Sequence, residues 1–344
     1  MYKYSFQNDY CEGAHPSMID ALSKKNTSQE VGYGEDHFCL EAAEKIRFIV
    51  GNPQADVHFV CTGTQANLIM LSSCLKPFES VIAVESGHIC VHETGAIEAT
   101  GHKVNHVKGI DGKITVPEIE EAAAIHYFEH MVRPRIVYLS QSTELGTIYS
   151  AKELQDISEV CKQLNLYLYL DGARLGSALT SAASDIQIEQ LTNLVDAFYI
   201  GGTKNGALLG EALVINHDAL KPDLRYAIKQ RGALLSKSRI LGIQFQELFK
   251  DNLYFELARH ANQMAEKMRT GLINLGYGFQ TDSPTNQLFP VLPNAVIEGL
   301  HEMYHFYVWE KVDDQHSAIR LVTSWATPET SVDEFLWDIK SIKA

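Results

Sequence analysis

The chain has 344 residues, 45% of them hydrophobic, which is enough to bury a large core. Its formal net charge of -14 argues against a nucleic-acid or anionic membrane partner, because a phosphate backbone would be repelled. No apolar run has the length of a membrane span, and the N-terminal residues contain no apolar signal segment. We therefore expect a cytoplasmic protein whose partners are small molecules.

Short apolar runs alternate with stretches of helical spacing through most of the chain. Helical spacing is clear at 151–164, where Leu154, Ile157 and Val160 share one face. The apolar runs are rich in Val, Ile and Tyr and predict buried strands at 57–61, 81–84, 136–140, 166–170, 197–200 and 212–215. This alternation predicts an α/β fold, with a mostly parallel central sheet and helices on both faces.

The pattern changes after residue 239. Residues 240–275 predict a long helix interrupted near residue 250, and a turn follows at 283–286. Strands are predicted at 288–292, 307–309 and 319–323, and a final helix at 332–342. We interpret residues 1–35 as an N-terminal arm, 36–250 as a large cofactor-binding domain and 251–344 as a small α+β C-terminal domain.

Two reactive ions follow predicted strands. Asp171 comes directly after Leu168-Tyr169-Leu170, and Lys204 lies in a glycine-rich turn after the run at 197–200. Pyridoxal 5'-phosphate enzymes need such a pair, because the lysine amine bonds to the cofactor aldehyde and the acid keeps the pyridine nitrogen protonated. Taken singly, the lysine could be a solvated loop residue and the aspartate a turn former.

A third element lies upstream of this pair. The strand predicted at 57–61 leads into Gly63 and Thr64, and a helical pattern runs from Gln65 to Leu75. Free N–H groups and the positive end of the helix dipole at such a junction bind phosphate, and the Thr64 hydroxyl adds a donor. The three elements together predict a pyridoxal phosphate site.

From about residue 8 to the C-terminus, the chain resembles the low-specificity threonine aldolase and β-eliminating lyase family. That family has the fold of aspartate aminotransferase and uses pyridoxal phosphate. The resemblance rests on motifs that occur in the family's order, namely Tyr33-Gly34-Glu35-Asp36, Gly63-Thr64-Gln65-Ala66-Asn67, His88, Asp171-Gly172-Ala173-Arg174, Lys204 and Arg320-Leu321-Val322-Thr323.

The resemblance implies roles for individual residues. His88 would stack on the pyridine face, although an ordinary histidine at a helix start is the alternative. Arg174 and Arg320 would clamp the substrate α-carboxylate, since a guanidinium fork fits a planar carboxylate. Tyr33 would reach the active site of a neighbouring subunit, which implies a homodimer or homotetramer with shared active sites. The implied cofactor-binding set is Gly63, Thr64, Gln65, His88, Asp171, Ala173, Thr203 and Lys204.

Two positions depart from the family pattern. The family commonly opens with Ser-Asp-Thr, whose serine helps to hold the carboxylate, whereas Asn8 stands here and could donate instead. The family's aldolases carry Thr-His-Asn where this chain reads Thr143-Glu144-Leu145. Glu144 could therefore replace the histidine that handles the β-hydroxyl proton, or it could be an ordinary loop carboxylate.

The residues together predict a lyase that cleaves a β-hydroxy amino acid of the threonine or allo-threonine type to glycine and an aldehyde. A β-eliminating lyase is the alternative, followed by an aminotransferase and, last, an α/β binding protein without catalytic activity. His88 and His92 have a metal-like spacing, but no third ligand is evident, so we expect no metal. The six scattered cysteines are expected to be buried free thiols.

Overall fold

A computed structural model of the chain describes residues 2–343. The chain starts with a short strand and two helices, which are β1 (Tyr4–Ser5), α1 (Pro16–Lys25) and α2 (His37–Ile49). Asp36 caps α2, because its carboxylate accepts a hydrogen bond from the Cys39 N–H at 2.9 Å. Met18 of α1 is fully buried in the core of the large sheet.

The central sheet has seven strands, one more than the sequence predicted. They are β2 (Asp56–Val60), β3 (Glu79–Val84), β4 (Val104–Val107), β5 (Arg133–Ser140), β6 (Tyr167–Asp171), β7 (Ala197–Gly201) and β8 (Glu211–Ile215). Their spatial order is β2-β8-β7-β6-β5-β3-β4. The strands from β4 to β7 are parallel, and β8 runs antiparallel to both β7 and β2. The prediction of a mostly parallel sheet is confirmed.

Helices cover both faces of this sheet. They are α3 (Gly63–Cys74), α4 (His88–Val91), α5 (Val116–Ile125), α6 (Ala151–Gln163), α7 (Leu175–Thr180), α8 (Ile188–Leu194), α9 (Leu224–Gln230), α10 (Arg239–Leu248) and α11 (Leu253–Asn274). Successive strand residues enter different cores, since Leu168 and Leu170 of β6 lie in one cluster and Tyr169 in the other. Burial on both faces explains why the strands read as continuous apolar runs.

A second sheet follows α11. The elements after α11 are β9 (Gly278–Phe279), β10 (Gln287–Leu288), β11 (Pro290–Pro293), α12 (Asn294–His301), β12 (Tyr304–His305), β13 (Tyr307–Lys311), β14 (His316–Val322) and α13 (Glu329–Lys343). The second sheet consists of β9, β10, β11, β13 and β14, whereas β12 pairs with β1 in a separate two-stranded sheet. Strand β14 is central and pairs antiparallel with β10, β11 and β13. The N-terminal strand β1 pairs parallel with β12, and Phe6 is fully buried in the core beneath this sheet.

Helix α11 belongs to both cores. Its first turns place Tyr254 and Leu257 in the core of the central sheet, and its later turns place Met268 and Leu272 in the core of the second sheet. The two cores therefore meet along this helix. Residues 2–343 include no helix with the length and apolar character needed to cross a membrane. The cysteines are free thiols, but only Cys39 and Cys161 are buried. Cys11 is exposed, and Cys61, Cys74 and Cys90 are half-buried, contrary to the expectation that all are buried.

Candidate active site

The candidate site lies at the carboxyl ends of the parallel strands. Asp171 is the last residue of β6 and pairs in register with Ser140, the last residue of β5. Lys204 follows the end of β7 by three residues. Because parallel strands end at one edge of the sheet, these side chains approach one another there, where ligands of α/β proteins bind. The structure thus brings together the acid and the lysine that the sequence suggested as a pair.

Asp171 is held by a dense set of hydrogen bonds. Its Oδ2 accepts from the Tyr138 hydroxyl at 2.6 Å and from Nδ2 of Asn67 at 3.0 Å. Its Oδ1 accepts from the Tyr199 hydroxyl at 2.5 Å and from the Ala173 N–H at 3.0 Å. Burial opposes ionisation, but the charge of His88 and the tyrosine and asparagine donors outweigh it and hold the pKa below its usual value. Asp171 is therefore a carboxylate.

Lys204 is half-buried and carries an amine with no hydrogen bond or ion pair to residues 2–343. Burial and the positive charge of Arg174 lower its pKa. A lysine whose pKa falls is more often a free amine at neutral pH, and a free amine is the nucleophilic form. Lys204 can therefore attack an aldehyde.

The Thr203 side chain forms a hydrogen bond with Glu211, a buried acid that the sequence did not single out. Its hydroxyl donates to Oε1 of Glu211 at 2.8 Å, and the Gly202 N–H donates to Oε2 at 2.9 Å. Burial raises the pKa of Glu211 to about 8, against the favourable effects of the Thr203 donor and the charge of Lys204. Glu211 therefore fixes the turn that carries Lys204, and the Thr203 hydroxyl, which also accepts from the Gly210 N–H at 3.0 Å, holds this turn together.

His88 begins α4 and is oriented by Glu93. Its Nδ1 lies 2.8 Å from Oε1 of Glu93, and the same oxygen accepts from Nδ2 of Asn67 at 2.8 Å. The Asn67 amide also reaches Asp171, so the imidazole and the aspartate share one hydrogen-bonded network. No group of three or more potential metal ligands from His, Cys, Asp and Glu is present among residues 2–343.

Glu144 lies beside His88 in the loop after β5. Its Oε1 accepts from the His88 backbone N–H at 2.8 Å and from the Ser140 hydroxyl at 2.8 Å. Its Oε2 is buried and has no hydrogen-bond partner among residues 2–343. Burial and the negative charge of Asp171 raise its pKa. An acid with a raised pKa and one oxygen without a partner is suited to exchange a proton with a ligand.

The two arginines differ in their partners. Arg174 is paired with the buried Asp9, with Nε 2.7 Å from Oδ2 and Nη2 3.0 Å from Oδ1. Arg320 makes no ion pair within residues 2–343, and its Nε is buried without a hydrogen-bond partner. Its guanidinium lies over the Trp309 ring at 5.6 Å from the centroid. Burial and the like charge of Arg174 lower its pKa to about 10.

The N-terminus of α3 faces the same edge of the sheet. Thr62 caps the helix, since its side chain accepts from the Gln65 N–H at 3.1 Å. The Gln65 side chain accepts from the Cys61 N–H at 3.0 Å and donates to the Arg231 carbonyl, so it shapes the turn. The first N–H groups, at Gly63 and Thr64, have no carbonyl acceptor within the helix. A Cβ added at Gly63 would lie 2.7 Å from the Tyr199 hydroxyl, so this position requires glycine.

A cavity of about 420 Å³ is lined by several of these groups. The residues that line it include five that the sequence singled out, namely His88, Glu144, Arg174, Lys204 and Arg320. The remaining lining residues were not foreseen, and they are Tyr10, His92, Gln287, Tyr307, Val308 and Trp309. Most of the latter are aromatic or polar side chains with no distinctive spacing in the sequence.

Of the residues predicted to bind the cofactor, Gly63, Thr64, Gln65, Asp171, Ala173 and Thr203 do not line this cavity. Of the four residues predicted to bind the substrate, Asn8 and Tyr33 lie outside it as well. Asn8 turns to its own loop, where its Oδ1 accepts from the Tyr10 N–H at 2.9 Å and from the Cys11 thiol at 3.3 Å. Its neighbour Asp9 reaches Arg174 instead. Tyr33 is 44% exposed on the outer surface, with Nζ of Lys229 at 4.7 Å from its ring centroid. Within its own chain, Tyr33 therefore contacts no residue of the cavity.

The donors at this edge fit pyridoxal phosphate. Lys204 offers an amine without a partner, and Asp171 offers a carboxylate for the pyridine nitrogen. The helix start at Gly63 and Thr64 offers N–H groups for the phosphate. His88, Ala173 and the turn at Thr203 complete the set of residues that would hold the cofactor.

The chain resembles known proteins over nearly its whole length. The model of the β-eliminating lyase family matches residues 6–294. A low-specificity L-threonine aldolase from a Pseudomonas species is 31% identical over 341 residues, covering 98% of this chain and 97% of that protein. A threonine aldolase structure from Leishmania major is 49% identical, covers 99% of this chain and 100% of its own, and has a TM-score of 0.98.

A more distant structure shares the fold alone. It is an aspartate aminotransferase from Thermus thermophilus, with a TM-score of 0.74, 14% identity, and coverage of 99% of this chain and 91% of its own. The predicted fold class is confirmed.

Proposed function

Because this chain belongs to the β-eliminating lyase family, we propose that it cleaves a β-hydroxy amino acid of the threonine or allo-threonine type to glycine and an aldehyde. The relatives named as threonine aldolases support this reaction. The observation that carries the proposal is the arrangement in one cavity of a lysine amine without a partner, a carboxyl with a raised pKa and two guanidinium groups.

The enzyme is a lyase that depends on pyridoxal phosphate, as the sequence predicted. When bound, the cofactor supplies an electron-withdrawing ring that stabilises negative charge at the substrate α-carbon. Lys204 would hold the cofactor through its amine, and Asp171 would keep a negative charge for the pyridine nitrogen. His88, held by Glu93, would contact the cofactor ring.

The residues that contact the substrate bind its carboxylate and transfer its proton. Arg320 and Arg174 bind the α-carboxylate and so direct the β-carbon toward the Glu144 end of the cavity. Glu144 accepts the proton of the β-hydroxyl through the carboxylate whose Oε2 has no partner. Loss of that proton allows the bond between the α- and β-carbons to break, which yields the aldehyde. The α-carbon then takes up one proton to complete glycine, and Lys204, which lines the same cavity, is the amine that can deliver it.

The reaction is tested by product analysis. Holoenzyme is incubated with L-threonine and with L-allo-threonine, and glycine and acetaldehyde are measured, with Lys204→Ala as the inactive control. We expect equimolar glycine and acetaldehyde from the wild type. Absence of both products from both substrates would overturn the proposal. The lowered pKa of Lys204 favours β-elimination as a second candidate, since a free amine can remove an α-proton, and ammonia with an α-keto acid would be its products.

We also infer that the enzyme is a cytoplasmic homodimer or homotetramer with shared active sites. Support comes from Tyr33, which is exposed, lies away from the cavity of its own chain and has a φ of 63°. A non-glycine residue in this strained conformation is more frequent at functional sites. Mixing subunits that carry Tyr33→Ala with subunits that carry Lys204→Ala tests the inference. Activity regained on mixing supports shared sites, and none regained contradicts them.

A further inference from the structure

The carboxylate-binding end of the cavity contains two arginines in unequal electrostatic settings. Asp9 is fully buried and accepts hydrogen bonds from Arg174 at both carboxylate oxygens, from Nε at 2.7 Å and from Nη2 at 3.0 Å. Arg320 has no acidic partner within residues 2–343. Arg320 is half-buried with a buried Nε, and this burial and the charge of Arg174 lower its pKa to about 10, although the charge of Asp9 acts in the opposite direction. Arg320 is therefore the cation that lacks an anion.

A second partner, Asn286, holds the Asp9 carboxylate in place. Nδ2 of Asn286 donates to its Oδ2 at 2.9 Å and also to the Thr323 carbonyl at 2.8 Å. Burial opposes ionisation of Asp9, but the charges of Arg174 and Lys204 and the hydrogen bonds outweigh it and keep the pKa low. Asp9 thus carries its negative charge throughout the neutral pH range.

The geometry of the pair leaves part of Arg174 available. Asp9 occupies the edge of the guanidinium formed by Nε and Nη2. Nη1 makes no hydrogen bond to residues 2–343, and Arg174 lines the cavity. One edge therefore donates to the protein, and the other can donate to a ligand oxygen.

The charges at this end of the cavity leave a single net positive charge, because two guanidinium cations face one carboxylate. Among the other residues that line the cavity, Lys204 is the amine assigned to the cofactor, and Glu144 is an acid that adds no cation. A ligand with one carboxylate balances this charge. A ligand with two carboxylates would bring one anion that has no partner, and an unpaired anion in such a site is strongly disfavoured.

We propose that Asp9 is the positioning residue of the carboxylate subsite, which holds and neutralises Arg174 so that, with Arg320, it binds the α-carboxylate of amino acids that carry only one carboxylate. This inference rests on the proposed function, since it assigns the substrate class of the same site. The two arginines then have different roles in binding, because Arg320 supplies the positive charge and Arg174 supplies an oriented hydrogen-bond donor.

Binding of two amino acids without a β-hydroxyl tests the inference. L-alanine and L-aspartate are titrated into holoenzyme, and the change in the visible absorbance of the bound cofactor gives each dissociation constant. In the wild type, alanine should bind at least about tenfold more tightly than aspartate. In Asp9→Asn, the extra positive charge should reduce this preference at least about tenfold. Equal binding by the wild type, or an unchanged preference in Asp9→Asn, would overturn the inference.

Control variants separate charge from general damage. Asp338→Asn removes another ion pair of the N-terminal arm, the one between Lys3 and Asp338, and should keep the wild-type preference. If Asp9→Asn does not fold, Arg320→Ala carries the test, because it leaves the pair of Asp9 and Arg174 intact. That variant should weaken alanine binding by at least about 100-fold. A loss below about threefold would show that Arg174 supplies the charge and would overturn the inference.

The experiment also distinguishes this inference from the proposed function. A wild type whose absorbance responds to neither amino acid would contradict an amino-acid lyase altogether. A wild type that responds to both with equal affinity would contradict only the role given to Asp9.

Discussion

Nδ1 of His88 lies 2.8 Å from Oε1 of Glu93, whose side chain is fully buried. A carboxylate accepts hydrogen bonds, so Nδ1 donates and Nε2 is left for the cavity. The same oxygen of Glu93 holds Asn67, and Asn67 holds Asp171. Glu93 therefore orients both the imidazole of His88 and, through the Asn67 amide, the carboxylate of Asp171.

The first prediction concerns this orienting acid. Glu93→Gln keeps the size of the side chain but gives up the charge that fixes His88, so the ring loses its fixed orientation. We expect turnover of threonine to fall about 10- to 100-fold, the range found when a residue that orients a functional histidine is lost. Steady-state kinetics measure the effect, and the exposed Glu98→Gln is the matched control. If Glu93→Gln turned over threonine at the wild-type rate, Glu93 would not be needed to orient His88.

The second prediction concerns Asp171. Asp171→Asn removes the negative charge next to the pyridine nitrogen while retaining a side chain that can bond to Tyr138 and Tyr199. We expect turnover to fall by at least about 100-fold, because charge stabilisation at the reacting centre is lost. Cofactor content should be retained through the α3 N-terminus. Cofactor content and turnover are both measured, with Asp218→Asn on the surface as control, and near-normal turnover would refute the assignment.

The third prediction concerns Glu144 as the base. Glu144→Gln should lower threonine cleavage by about 100-fold or more while the visible spectrum of the cofactor persists. The raised pKa of Glu144 also sets a pH dependence, since the base is protonated and inactive below that pKa. The acid limb of the wild-type profile should therefore lie above the range of an ordinary carboxyl group. Undiminished cleavage by the glutamine variant would exclude Glu144.

The fourth prediction links Glu211 to stability. Its pKa is raised from 4.5 to about 8, so between these values the folded state holds a proton that the unfolded state releases. Its contribution to the free energy of unfolding then falls with rising pH, by up to about 1.4 kcal/mol per pH unit. Glu211→Gln cannot titrate, so its stability relative to the wild type should rise between about pH 5 and about pH 8.

Chemical unfolding of the two proteins at several pH values measures this difference. The exposed Glu159→Gln serves as control, and its free energy of unfolding should differ from that of the wild type by the same amount at every pH. If the difference between Glu211→Gln and the wild type were also constant, Glu211 would be ionised in the folded protein, contrary to this prediction.

Much of the site could be predicted from sequence because strand ends meet at one edge of a parallel sheet. Asp171 and Lys204 each follow a strongly apolar run, and the order of the motifs carried the family resemblance. Strand β4 was missed because His106 and Asn105 interrupt the apolar pattern of this short edge strand. Local apolar patterns and the order of the motifs were thus enough to predict the fold class and the family.

The supporting acids could not be predicted, because their roles depend on contacts between distant segments. Asp9 is adjacent to the suggested Asn8, and only the packing of the N-terminal arm shows which of the two reaches Arg174. Glu93 follows His88 and His92 without a pattern that indicates its role, and Glu211 precedes a predicted strand without one. Hydrogen bonds across the tertiary structure give these side chains their functions.

The central claim, that Lys204 carries the cofactor, is tested most directly by chemical mapping. Holoenzyme is reduced with borohydride, digested with a protease, and its peptides are analysed by mass spectrometry for a pyridoxyl group. We expect the modification on the peptide that contains Tyr199 to Gly206, at Lys204, and no modification in a Lys204→Ala variant. A pyridoxyl group on any other lysine of the wild type would contradict the account.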